Sequence, residues 1–154
     1  METKLLEFYE IPNSDKREYL NNLSDAELQA LINDTTSCVK ALDELADAYD
    51  ALEQQKKKGH RLFIGIWWLI KKEAKQEWEE GCRVAEAELN KKESKIKASC
   101  IWNLVDIEMD ALIAQYPRRT KQELLTRNYG VVFLTLKLKN DVAPVLLAEY
   151  ESRE

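Results

Sequence analysis

A chain of 154 residues with 45% apolar and 33% charged side chains and a net charge of −5 can enclose one sizeable core, hiding about 70% of its unfolded surface, without a disulfide or metal. Only 4 Gly and 3 Pro leave little material for hairpins and turns, which disfavours an all-β fold and favours long helices. The acidic opening METKLLEFYEIP lacks the basic, apolar, small-residue progression of a secretory signal, so a cytoplasmic location is the expectation.

Residues 1–22 read as an irregular or short helical lead-in broken by Ile11-Pro12-Asn13-Ser14. Ser24 and Glu27 then have the spacing of a capping box, in which each side chain satisfies a backbone N–H that the first helical turn leaves unpaired. The spacing predicts a helix over 24–57, with an apolar stripe of Leu28, Leu31, Thr35, Cys38, Leu42, Leu45, Tyr49 and Leu52 at alternating intervals of three and four. Ile32, Val39 and Ala46 widen that stripe beyond a narrow coiled-coil seam. The lysines and glycine of 56–59 fit a helix stop.

A second helix is predicted over 61–90, carrying Trp67, Ile70, Ala74, Trp78, Cys82, Ala85 and Leu89 on one face. It reads as the return arm of an antiparallel hairpin. Polar residues 90–95 mark a break, although a continuous helix is not forbidden. A third helix over 96–116 is marked by Ile96, Cys100, Leu104, Ile107, Ala111 and Leu112 and stopped by Tyr116-Pro117. Thr120 and Glu123 repeat the capping-box spacing and open a fourth helix that Tyr129-Gly130 would end.

The following VVFLTLKLK alternates as a strand does, but no second strand exists to pair with it within the chain, so helix is the reading and a strand paired across a dimer the alternative. Asp141 and Pro144 suit the cap and first turn of a last helix. The expected architecture is therefore a single all-α domain over 1–154. It is a helical bundle built on a long, coiled-coil-like antiparallel hairpin, with a C-terminal segment, 120–154, that is helical or one strand.

The stretch RLFIGIWWLI, residues 61–70, holds eight large apolar side chains between lysines. Burial of each contributes about 1.5–3 kcal/mol, too much to leave in water. The run is shorter than the ~20 residues that span a bilayer. It is enclosed in the bundle, or completed by a second chain, or laid on a membrane surface. The first two are compatible, and they make Phe63, Ile64, Trp67, Trp68, Lys71 and Lys72 the candidate partner-binding residues.

Charge is unevenly spread. Residues 1–55 hold 4 basic against 13 acidic side chains, 56–100 hold 12 against 7, and the remainder 7 against 8. The acidic and basic segments are expected to lie against each other. The competing use of Lys56, Lys57, Lys58 and Arg61, with Arg118, Arg119 and Lys121, is a nucleic-acid-binding patch.

Cys38, Cys82 and Cys100 follow no CxxC or Cys/His pattern and read as reduced core residues. The one histidine, His60, reads as a solvated linker residue, and no nucleophile elbow, P-loop or dinucleotide fingerprint occurs. Acidic rows at Asp43, Asp47 and Asp50, at Glu73, Glu77 and Glu80, and at Asp106 and Asp110 are expected to be solvated helix faces.

Glu77-x-x-Glu80 resembles the first half of the ExxE…ExxD pattern of all-α nucleoside triphosphate pyrophosphohydrolases. The second half departs from it, because Asp106 and Asp110 are four apart and no Glu stands three before an Asp. The resemblance implies a Mg²⁺-dependent nucleotide hydrolase as an alternative. The main expectation is a non-enzymatic protein-binding module, a regulator, inhibitor or assembly factor, with no cofactor or metal and with another protein or its own copy as partner.

Overall fold

The computed structural model describes residues 2–63, 72–99, 101–118 and 129–153, and every regular element among them is helical. The elements are α1 (Glu2–Glu10), α2 (Asn13–Asn21), α3 (Asp25–Phe63), α4 (Lys72–Lys97), α5 (Ile101–Gln115), α6 (Tyr129–Lys137), a π-turn (Leu138–Val142) and α7 (Ala143–Ser152). The last three form one continuous rod, so the described chain is a bundle of six helical pieces around one core.

Local chemistry sets most of the boundaries. Pro12, which lacks an N–H, separates α1 from α2 with an extended backbone (φ −55°, ψ 144°). The lead-in is thus two helices, and it builds core: Leu5, Phe8 and Leu20 are fully buried. At the start of α3 the Glu27 N–H donates to Ser24 Oγ at 3.1 Å and the Ser24 N–H donates to Glu27 Oε1 at 3.4 Å, the reciprocal box expected from the sequence. Lys4 reaches the same Glu27 carboxylate and ties α1 to this corner, and its hydrogen bond holds that carboxyl below its usual range.

The stripe of α3 is the spine of the core. Leu28, Leu31, Cys38, Leu42 and Leu45 are buried, Tyr49 and Leu52 half-buried, and Thr35 resolves its polarity by donating Oγ1–H to the Leu31 carbonyl at 2.9 Å. α4 packs against α3 in the opposite direction: Tyr49 meets Glu93, and Gln55 meets Trp78 and Gly81.

Two glycines expected to end helices do not. α3 runs through Gly59 to Phe63, so 61–63 continue α3 rather than opening the return arm, and His60 is helical, not a linker. The reason is a close approach. A Cβ at Gly59 would fall inside the Trp78 indole, whose Nε1–H donates to the Gln55 carbonyl at 2.8 Å, one turn back along α3. Gly130 likewise lies within α6, where a Cβ would press on the Met109 side chain, so Tyr129-Gly130 begins a helix instead of ending one.

The polar stretch 90–95 does not break α4, which continues to Lys97 because Ile96 is buried and Lys92, Lys95 and Lys97 are accommodated on the outer side and in the last turn. The break lies instead at Ala98-Ser99. There Ser99 Oγ donates to the Ile96 carbonyl at 2.7 Å and accepts the Ile101 N–H at 3.3 Å, closing one helix and opening the next. Tyr116-Pro117 stops α5 as expected.

Residues 131–139 are not a strand. Val131, Leu134, Thr135 and Leu138 face the core at helical spacing. Asp141 does not cap a new helix either, because it lies inside the π-turn. Pro144 explains the turn: it has no N–H for the Asn140 carbonyl and its ring would collide with it. The backbone widens, with the Ala143 N–H donating to Leu138 O, five residues back. The extra residue keeps Leu138, Val142 and Leu146 on the buried side, where successive steps of four would drift off an α-helical face.

Candidate functional site

The C-terminal rod lies across α3 and α5, and both of its faces carry information. Its inner face is fixed by polar links. Glu108 of α5, only 8% exposed, accepts hydrogen bonds from the Tyr9 hydroxyl and from Lys137 Nζ, the latter at 3.1 Å. Lys137 and Lys16 also stand 5.3 and 6.0 Å from the Tyr9 ring centroid, so the ring is flanked by two ammonium groups.

Burial, then the hydrogen bond and charge of Glu108, push the Tyr9 hydroxyl well above the ordinary tyrosine range, so it remains a donor. Burial and the charge of Lys137 lower Lys16, while Asp141 opposes them. This cluster joins α1, α2, α5 and the rod. Further along, Lys139 bonds Asp43 of α3 at 3.1 Å, and Arg153 bonds Asp25 at 3.0 Å, the Leu20 carbonyl at 2.6 Å and Glu149 at 3.0 Å. The arrangement sets how the rod sits on the bundle. Its donors and acceptors point at one another rather than into an opening.

The outer face of the rod is different. Nine large apolar side chains are exposed among the described residues, and seven are on the rod: Tyr129, Val132, Phe133, Leu136, Val145, Leu147 and Tyr150. An apolar concentration of this kind on one element marks a contact surface more often than chance.

The residues singled out by the sequence are brought together only in part. Ile64, Trp67, Trp68 and Lys71 lie outside the described residues, as do Cys100, Arg119 and the Thr120–Glu123 cap; Phe63 closes α3 and Lys72 opens α4 with an exposed side chain. Trp78 packs on α3 near one end of α4, and Trp102 sits under Lys97 at the other. Lys56, Lys57 and Lys58 are exposed at consecutive positions of α3 and so point to different sides, and Lys57 pairs with Glu53. Cys38 is buried and Cys82 half-buried.

The acidic rows stay separate. Asp43 pairs with the rod, and the pairs Arg83–Glu80, Lys92–Glu88 and Lys97–Glu93 of basic α4 run within that helix. Glu73 and Glu77 are exposed, and the hydrogen bonds of Arg83 hold the Glu80 carboxyl below its usual range. No group of three or more metal-ligating side chains gathers among the described residues. No helix there is long and apolar enough to cross a membrane. A groove of about 270 Å³, lined by Ser37, Glu44, Lys92, Lys95, Ile96 and Ile101, mixes both charge signs around an apolar floor and includes none of the Tyr9–Glu108–Lys137 cluster.

Sequence reasoning missed Tyr9, Glu108 and Lys137. A signal for Glu108 was present: it falls four residues after Leu104 and four before Leu112, on the buried stripe of α5, where an acid needs partners from elsewhere in the fold. The fold and site define a class, an all-α helical bundle with an apolar face that no described residue covers. No family model matches the chain, and none of the curated proteins or solved structures compared with it does.

Proposed function

We propose that this chain is a non-enzymatic protein-binding module of the cytoplasm, a regulator, inhibitor or assembly factor that also associates with itself. One observation carries the reading: Glu108, Lys137, Lys139 and Arg153 are engaged in holding helices together, while exposed large apolar side chains are concentrated on the C-terminal rod. In this reading the α3–α4 hairpin is the stiff, coiled-coil-like frame. The apolar run with Phe63, Ile64, Trp67, Trp68, Lys71 and Lys72 is a second contact area.

The test is direct. In a variant with Trp78 and Trp102 changed to Phe, only Trp67 and Trp68 emit. Red-shifted, acrylamide-quenched emission that turns blue as protein concentration rises supports a run used for association. The proposal for the run is overturned if Trp68→Ala leaves mass, stability and every binding activity unchanged. Mg²⁺-dependent turnover of nucleoside triphosphates that vanishes in Glu77→Gln would replace the whole reading with an enzyme.

A further inference from the structure

We infer that the C-terminal rod pairs with the same rod of a second copy, antiparallel, about a two-fold axis beside Asn140. The inference rests on the self-association proposed above and names the surface and the partner.

One stripe of the outer face is mirrored about Asn140, while Val145 and Tyr150 fall outside it because their counterparts, Thr135 and Gly130, are buried. Before it, exposed Leu136, Phe133, Val132 and Tyr129 stand 4, 7, 8 and 11 residues away; after it, exposed Pro144, Leu147, Ala148 and Glu151 stand at the same distances. A two-fold contact requires a surface to be complementary to itself, and in an antiparallel helix pair residues equidistant from the axis meet. The pairing brings Leu136 against Pro144, Phe133 and Val132 against Leu147 and Ala148, and the Tyr129 hydroxyl to the Glu151 carboxylate of the other copy. Asn140 meets its own counterpart at the axis, a self-complementary amide able to fix alignment.

Charge permits this contact. Lys137, Lys139 and Arg153 are drawn back to Glu108, Asp43 and Asp25 of their own bundle, so no row of like charges lies along the midline. Area favours it as well. With roughly 200 Å² for a large apolar residue in an open chain, Tyr129, Val132, Phe133, Leu136 and Leu147 leave about 450 Å² per copy. Two copies then bring together about 900 Å² of large apolar surface, which exposed Pro144, Ala148, Asn140 and Glu151 extend toward the ~1,200 Å² at which specific interfaces begin.

The experiment is sedimentation velocity of the full chain over about 1–100 µM, together with oxidative cross-linking of Asn140→Cys in a Cys82→Ser/Cys100→Ser background. The expected result is a native dimer and a Leu136→Glu variant whose dissociation constant rises about a hundredfold or more and whose melting curve matches that of the native chain diluted to monomer, because Leu136 is already 48% exposed in one copy. The Asn140→Cys protein should give a disulfide-linked dimer, while Val84→Cys, on 59%-exposed Val84 of α4, should not.

A monomer throughout the range, or a dimer in which Asn140→Cys forms no cross-link, overturns the inference. A dimer that survives Leu136→Glu but is lost in Trp68→Ala also overturns it, while leaving self-association through the apolar run standing.

Discussion

Replacing Gly59 by Ala sets two physical effects against each other, and the structure fixes the sign. In a helix interior Ala is favoured over Gly by about 0.8–1 kcal/mol, so the backbone alone makes the change stabilising. At this position, however, a Cβ would lie closer than 3.0 Å to three atoms of the Trp78 indole, a rigid ring with no flexible end to yield. The indole would have to withdraw from α3, giving up its hydrogen bond to the Gln55 carbonyl, a loss of about 0.5–1.5 kcal/mol, while a forced fit in packed surroundings costs about 1–3 kcal/mol.

Subtracting the helix gain leaves a net destabilisation of about 0.5–3.7 kcal/mol. Urea unfolding followed by circular dichroism reads this directly. The same substitution in a Trp78→Ala background, where the methyl has room, should instead stabilise by about 1 kcal/mol, and the difference is the coupling between the two positions. A Gly59→Ala protein more stable than the native one, or the same effect in both backgrounds, would refute the claim that Trp78 holds this glycine in the helix.

Glu108→Ala leaves the Tyr9 hydroxyl and Lys137 without their shared acceptor and should cost about 1–3 kcal/mol in chemical unfolding, whereas Glu108→Gln keeps an oxygen in place and should cost less. Tyr9 and Tyr49 both have hydroxyls raised above the ordinary tyrosine range, by burial first and then by Glu108 and Glu93 respectively. A raised folded-state value means that the stabilisation is complete below pH ~10 and is lost as pH rises beyond it, at up to about 1.4 kcal/mol per pH unit for each group. Alkaline melting curves should therefore fall more steeply for the native chain than for Tyr9→Phe/Tyr49→Phe. Ser24→Ala removes half of the box at the start of α3 and should lower stability by about 0.5–2 kcal/mol in the same unfolding assay.

What could be read from the sequence is what short-range chemistry decides. Ser24 and Glu27 are three residues apart, so their box depends on nothing distant, and the stripe from Leu28 to Leu52 repeats for long enough to leave no other period. The boundaries that went wrong are those settled by a neighbouring element. Gly59 and Gly130 look like helix ends until Trp78 and Met109 are seen lying against them. Glu108 looks like one more acid on a charged helix until Tyr9, 99 residues earlier, bonds to it. The Pro144 signal was local and correctly placed, but its consequence, a widened turn, depends on the rod being continuous and held to the bundle at both ends by Lys137, Lys139 and Arg153.

The alternation in VVFLTLKLK shows how one misleading pattern and the unpartnered face share a cause. In a helix with a single buried side, Leu134 and Leu138 would be apolar and Leu136, two residues from each and on the opposite face, would be polar. Here Leu134 and Leu138 are fully buried while Leu136 is half in water, and Val132 and Phe133 repeat the outward pattern one turn earlier. An inner stripe and an outer stripe superimposed along one helix produce a near-period of two, the signature of a strand. The strand-like reading thus came from a second apolar face that the bundle itself does not need. A helix apolar on both sides is ordinarily enclosed on both sides, and this rod is covered by its own chain on one. The residue that spoils the helical pattern, Leu136, is for that reason the position at which pairing between copies is most sensitive to a charge.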